Sequence, residues 1–235
     1  MKKSLLVYGI AYFILLTVTL GMLYAYPKLE LHLLLNSYHT RLQDIFFTYY
    51  SMLAEGPLYV LALLPLLWKQ VKLTLFYALC ELSGGAVLQL LKLLISMPRP
   101  HSAFENCPDM VLPVVEGINL HNSNSFPSGH ASTFFVFCTC LAIYLAYRHE
   151  LSGGKNTHKT CILFDVSLLL LLSLAALGAY SRVYLSQHFL SDVCMGSIIG
   201  FVTPCLIFYF GRNKILRIKP KEHRQDKRPL PHQNA

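Results

Sequence analysis

The sequence predicts an all-α, polytopic membrane protein: a six-transmembrane-helix bundle with an N-terminal interfacial amphipathic helix. Three observations carry this. Of the 235 residues, 54% are hydrophobic and only 14% charged, a balance far from that of a soluble globular domain. The apolar residues fall in runs of about 20, the length that crosses a bilayer core. The Lys and Arg residues, 20 against 12 Asp and Glu, avoid those runs and collect at particular ends. A net charge of +8 placed in this way argues for a lipid bilayer as the partner and against nucleic acid.

The first span is read over 5–26, after Lys2 and Lys3. It is longer than the apolar core of a signal peptide, and "YAYPKLE" is a poor small-residue cleavage site, so it is expected to be retained. Residues 27–50 mix apolar and polar side chains and predict an interfacial helix running into the second span. That span, over 51–68, carries Glu55-Gly56-Pro57 near its start and Pro65 inside, which predicts a short or kinked helix. The remaining spans are read over 73–97, 126–147, 161–181 and 189–211, with Gly84-Gly85 expected at a close helix contact. Residues 1–211 thus make one domain, and 212–235 a basic cytoplasmic tail. Of the seven cysteines, six lie in or beside apolar runs and read as packing residues. No disulfide framework is expected, and Cys138 and Cys140, two apart on a helix, point to different faces.

Fifteen of the twenty Lys and Arg lie on the side that holds both termini. By the positive-inside rule that side is cytoplasmic. The other five are Lys28, Arg41, Lys92, Arg99 and Arg182, and three of these sit at or near span ends. Lys92 and Arg99 are seven apart, on one helix face if the helix persists that far. An intramembrane cation either snorkels to the headgroups or meets a partner. "SFPSGHAS", Ser125 to Ser132, opens the fourth span with Ser125 as the expected N-cap. It is either an untidy helix start or an anion site where free N–H groups and the macrodipole favour phosphate. His188 and Asp192 are four apart. A carboxylate beside an imidazole binds one ring N–H and leaves the other nitrogen free to attack, or the pair simply satisfies itself. Up-and-down topology brings all these ends to one leaflet, and a cluster of cations, a helix N-terminus and two histidines is suited to a phosphoryl group.

With these residues in view the chain resembles the type 2 phosphatidic acid phosphatase superfamily of membrane lipid phosphatases. The resemblance rests on Lys92-x6-Arg99-Pro100, on Pro127-Ser128-Gly129-His130, and on Ser181-Arg182-x5-His188-x3-Asp192, in that order. It implies His188 as nucleophile, Asp192 as its orienting carboxylate and His130 as general acid and then base. It implies Lys92, Arg99, Ser128, Gly129, Ser181 and Arg182 as the phosphate-binding set. No cofactor and no metal are expected: the sequence shows no carboxylate cluster for magnesium and no His/Cys set at zinc spacing.

The reaction implied is hydrolysis of a phosphate mono- or diphosphate ester of a membrane lipid through a phosphohistidine. Undecaprenyl pyrophosphate, lipid A, phosphatidylglycerol phosphate and phosphatidic acid are all possible substrates. Small size and short loops point to a bacterial inner membrane, with the active site facing the periplasm or outside. A phosphotransferase to an acceptor lipid is the nearest rival. A vanadate-dependent haloperoxidase shares the pocket chemistry but is soluble. A non-enzymatic lipid-binding or transport protein needs no His–Asp pair. Glu81 falls deeper in the third span and is expected to make a structural hydrogen bond, Glu55 lies nearer an outer end, and the loop 98–124 is apolar enough to dip into the interface as a lid.

Overall fold

A computed structural model describes residues 2–56, 71–151 and 158–215. Among them the chain is helical: α1 (Lys2–Ala25), α2 (Lys28–Leu35), α3 (Arg41–Met52), α4 (Val71–Leu94), α5 (Pro100–Glu105), α6 (Gly129–Leu151), α7 (His158–Tyr184) and α8 (Leu190–Ile215). Five helices are long and apolar enough to cross a membrane: Ser4–Ala25, Val71–Leu94, Gly129–His149, Cys161–Tyr184 and Leu190–Gly211. They correspond to five of the six expected spans. The second expected span lies mostly outside the described residues, as does most of the tail; its first residues, Ser51 and Met52, close α3 instead.

Helix α6 is the most enclosed of the five, with α4, α7 and α8 packed around it. Its closest neighbour is α8, and two glycines make that approach possible. A Cβ added at Gly196 would stand 2.4 Å from the Ser128 carbonyl oxygen, and one at Gly200 would stand 2.4 Å from that of Ser132. Small residues let membrane helices bring their backbones together, because hydrocarbon solvent supplies no hydrophobic drive between them. At Gly178 of α7 the added atom would meet the Phe134 ring at 2.5 Å. Gly84, by contrast, faces its neighbours at ordinary contact distance, and Gly85 faces open space. The tight crossings therefore belong to Gly178, Gly196 and Gly200.

Helix α1 closes the bundle against α7 and α8. Tyr8 and Tyr12 are its buried anchors: Tyr12 stacks on Phe201 at 3.9 Å between centroids, and the two hydroxyls meet Thr139 and Ser197. A buried Tyr contributes a large apolar area and still needs a partner for its O–H, which these two contacts provide.

The segment 27–50 is not one interfacial helix. It breaks at Asn36 to Thr40 into α2 and α3, with the Thr40 hydroxyl accepting from the Gln43 N–H at 3.3 Å as the N-cap of α3. Both helices pack on α7. The polar residues His32 and Asn36 of this segment turn inward and are buried, the reverse of a free interfacial helix.

Candidate active site

Four helix ends meet at one face of the bundle. Lys92 lies in the last turn of α4, Ser128 to His130 open α6, Ser181 and Arg182 close α7, and Asp192 lies in the first turn of α8. His188 stands just before α8, in the short turn that links α7 to it. Arg99 does not continue α4, which stops at Leu94. It is instead the N-cap residue of the short helix α5, with Pro100 at its first position, where proline's missing N–H costs nothing.

Asp192 is buried and heavily bonded. Its Oδ2 accepts from the Ser125 hydroxyl at 2.5 Å and from the Phe189 N–H at 3.0 Å, and its Oδ1 from the Ser191 hydroxyl at 3.0 Å. His188 Nδ1 lies 3.7 Å from Oδ2, an ion-pair separation slightly long for a hydrogen bond. The carboxylate faces the Nδ1 edge of the ring, which makes no hydrogen bond in the protein, and leaves Nε2 on the opposite edge. Burial pushes the His188 imidazole down to about 4, against the upward pull of Asp192, so the ring is neutral and its lone pair available at physiological pH.

The start of α6 differs from its expected form. Ser128, not Ser125, caps the helix: its hydroxyl accepts from the Ala131 N–H at 3.4 Å and its carbonyl from the Ser132 N–H at 3.2 Å. The Ser128 N–H donates to the Asp192 carbonyl at 3.0 Å, tying the start of α6 to α8. The first N–H groups of a helix have no carbonyl four residues back, so those of Gly129 and His130 remain to serve an anion. A Cβ at Gly129 would meet nothing within 4 Å. His130 is within electrostatic reach of Arg182, His188, Arg99 and Lys92, and its Nε2 is buried without a hydrogen-bond partner in the protein.

The two arginines donate to neutral groups. Arg99 Nε donates to the Ser123 carbonyl at 3.0 Å, and one terminal nitrogen donates to the Gln187 carbonyl and side-chain oxygens at 3.2 and 3.3 Å. Arg182 donates to the Ser51 hydroxyl at 2.6 Å, while its buried Nε has no acceptor in the protein. A buried guanidinium N–H without a partner calls for an anionic one. Ser181 is fully buried, and its hydroxyl donates to the Gly178 carbonyl at 2.6 Å. Beside Arg182 a pocket of about 390 Å³ opens between α3 and the loop before α6, lined among others by Ser51, Glu55, Asn119, His121 and Gln187.

The structure places the nine residues singled out in the sequence at these helix ends, with the Ser181 hydroxyl turned back onto its own helix. It adds Ser125, Gln187 and Ser51, which fix Asp192, Arg99 and Arg182 and carry no motif of their own. Glu81 stays apart from the site: Thr133 donates to its Oε1 at 2.6 Å, and Tyr77 is a second partner. The loop 98–124 folds over the site, with Phe104 and Val115 buried and the Asn119, Asn122 and Ser123 carbonyls turned toward Gln187 and Arg99.

Three comparisons bear on this arrangement. The chain is 30% identical over 163 residues to the lipid phosphate phosphatase delta of Arabidopsis thaliana, covering 67% of this chain and 36% of that protein. It is 30% identical over 103 residues to a PA-phosphatase related-family protein of Dictyostelium discoideum, covering 43% of this chain and 36% of that one. The chain spans about a third or less of the length of the curated relatives it matches. Among solved structures it is similar to the crystal structure of Aquifex aeolicus LpxE, at 25% identity and a TM-score of 0.56, covering 79% of this chain and 97% of that one. The family model of the PAP2 superfamily matches residues 73–216, which run from α4 to the end of α8 and carry all nine residues singled out in the sequence, though not Ser51. The chain is a multi-pass membrane protein that belongs to the PAP2 superfamily.

Proposed function

We propose that the protein is a membrane lipid phosphate phosphatase that hydrolyses its substrate through a phosphohistidine. The observation that carries this is the convergence of Lys92, Arg99 and Arg182 with the α6 N-terminus around His130 and the neutral, carboxylate-oriented His188. In the first step His188 Nε2 attacks phosphorus, the bond from phosphorus to the leaving oxygen breaks, and His130 gives that oxygen a proton. The three cations, the Ser128 hydroxyl and the Gly129 N–H hold the non-bridging oxygens as charge shifts, with Ser181 supporting the turn below them. In the second step His130 takes a proton from water, which attacks phosphorus and releases His188 and inorganic phosphate.

Helix ends at one bundle face favour a substrate whose phosphate sits at headgroup depth with its chains in the bilayer. Phosphatidic acid, phosphatidylglycerol phosphate, lipid A and undecaprenyl pyrophosphate share that form. Residues 1–211 make up the catalytic unit in this reading, and 212–235 a basic tail. The charge distribution favours a site on the outer, non-cytoplasmic face, with both termini cytoplasmic.

The test is phosphate release by purified protein from a panel of these lipids, without an acceptor lipid. Wild type releases phosphate, H188A does not, and H130A accumulates labelled phosphoenzyme from a terminally labelled substrate. Acid-labile label persisting on H188A protein overturns the assignment of the nucleophile.

A further inference from the structure

The turn that delivers His188 is built on a residue ill-suited to it. Helix α7 ends in a Schellman motif: the Gln187 N–H bonds the Arg182 carbonyl at 2.9 Å, and the Ser186 N–H bonds the Val183 carbonyl at 3.0 Å. The His188 N–H joins at the same Arg182 carbonyl, at 3.1 Å. The residue at the left-handed position of this motif is usually glycine, because a Cβ is disfavoured there. Here it is Ser186, at φ 51°.

Ser186 is held from outside the turn. Its hydroxyl donates to the Pro113 carbonyl at 2.6 Å. Its oxygen accepts from Asn36 Nδ2 at 2.9 Å and faces His32 Nε2 at 3.2 Å. A hydroxyl has one proton and two lone pairs. With the proton on Pro113, both nitrogens must donate, which places the His32 proton on Nε2. The second Asn36 N–H donates to the Val183 carbonyl at 3.0 Å, inside the Schellman motif itself. Asn36, His32 and Ser186 are all buried.

The same face of α2 also grips the residue after the nucleophile. Lys28 Nζ lies 4.0 Å from the Phe189 ring centroid, and the His32 ring meets Phe189 edge-on at 5.3 Å. Behind Asn36, its side-chain oxygen faces His39 Nε2 at 3.2 Å, and His39 Nδ1 faces Asp44 at 3.0 Å. The Tyr184 hydroxyl completes the chain by donating to Asp44 at 2.6 Å. Lys28, His32 and Asn36, spaced four apart, thus form a stripe against residues 183–189.

We infer that Asn36 and His32 are positioning residues for His188: by holding Ser186 in its left-handed conformation they set the direction in which the chain leaves Arg182 and presents the nucleophile. This rests on the reading of His188 as the nucleophile. It assigns a role in turnover to a segment that precedes the matched family region, which begins at residue 73.

The test is a cycle of N36A, S186G and the double variant, assayed for phosphate release with H188A alongside. N36A lowers kcat by roughly tenfold at unchanged KM, the scale expected when a strained non-glycine residue loses its support. Adding S186G to N36A restores most of the lost kcat, because glycine takes the left-handed region unaided. N36A with undiminished kcat, a loss confined to KM, or a loss that S186G leaves unrepaired overturns the inference. H32A carries the same test, with and without S186G, should N36A not accumulate as folded protein. Turnover by H188A overturns the nucleophile reading itself; an inactive H188A beside a fully active N36A overturns only the positioning role.

Discussion

The Ser125 hydroxyl donates to Asp192 Oδ2 at 2.5 Å, and both residues are fully buried. This contact crosses from the loop before α6 to the first turn of α8. It gives the carboxylate that faces His188 a second anchor beside the Phe189 N–H. Losing one hydrogen bond to a buried charged acceptor costs about 1.5–3 kcal/mol. S125A is therefore expected to lower kcat by roughly ten- to a hundredfold, and D192A by more, with KM little changed. Phosphate-release kinetics on both variants check this. Wild-type kcat in S125A would sink the anchoring role.

Close contact between α6 and α8 makes a second prediction at a residue that touches no substrate. In G196A the new methyl meets the Ser128 carbonyl, a backbone atom that cannot swing aside. Overpacking of this kind costs about 1–3 kcal/mol or more. G196A is expected to lower the melting temperature in detergent and also to reduce turnover, because Ser128 opens the helix end proposed to hold the phosphate. G85A, whose methyl points into open space, serves as the control and should change neither.

A third expectation concerns acid. Burial pushes both His32 and His188 down to about 4 from an ordinary value near 6.5. Between those two values the unfolded chain binds protons that the folded protein does not. Stability therefore rises with pH across that window; it is complete above about pH 6.5 and falls as pH drops toward 4. Melting temperatures from pH 7 down to pH 4.5 should decline steadily, and H32N should decline less steeply than wild type. Equal slopes would show that His32 does not contribute.

In the proposed reaction the positive charge facing the phosphoryl group comes from Lys92, Arg99 and Arg182, the two arginines hydrogen-bonded to the fold. Turnover is accordingly expected to persist in excess EDTA. Activity that disappears with the chelator and returns only with a divalent cation would contradict this.

How much of this was legible in the sequence depends on whether a residue acts through spacing or through tertiary contact. His188 and Asp192 are one helical turn apart, and Lys92 interrupts an apolar run, so each marks itself. Ser125 looked like a helix cap because Ser, Pro and Gly follow in order; the cap went to Ser128, nearer the first full turn, and freed Ser125 for Asp192. Gln187 and Ser51 act on arginines distant in sequence, and nothing local distinguishes them. Helix α2 is legible as a helix but not in its contacts. Its mixture of Lys28 and His32 with leucines, capped by Asn36, reads as a helix lying at the lipid–water boundary, whereas His32 and Asn36 meet the Ser186 hydroxyl and the Val183 carbonyl of a turn that only the folded chain creates. The α6–α8 crossing was readable in principle from Gly196 and Gly200, four apart in an apolar run, whereas the more conspicuous Gly84-Gly85 pair carries no such approach.

The bond from Ser128 to the Asp192 carbonyl, with the glycine-lined seam beneath it, has a bearing on traffic through the site. His130 at the start of α6 and His188 in the turn before α8 flank this seam, so in the proposed reaction neither would have to travel for the other to be reached. Under the proposed function, lipid would then come and go past α2, α3 and the loop 98–124 rather than through a parting of α6 from α8, whose backbones meet at Gly196 and Gly200.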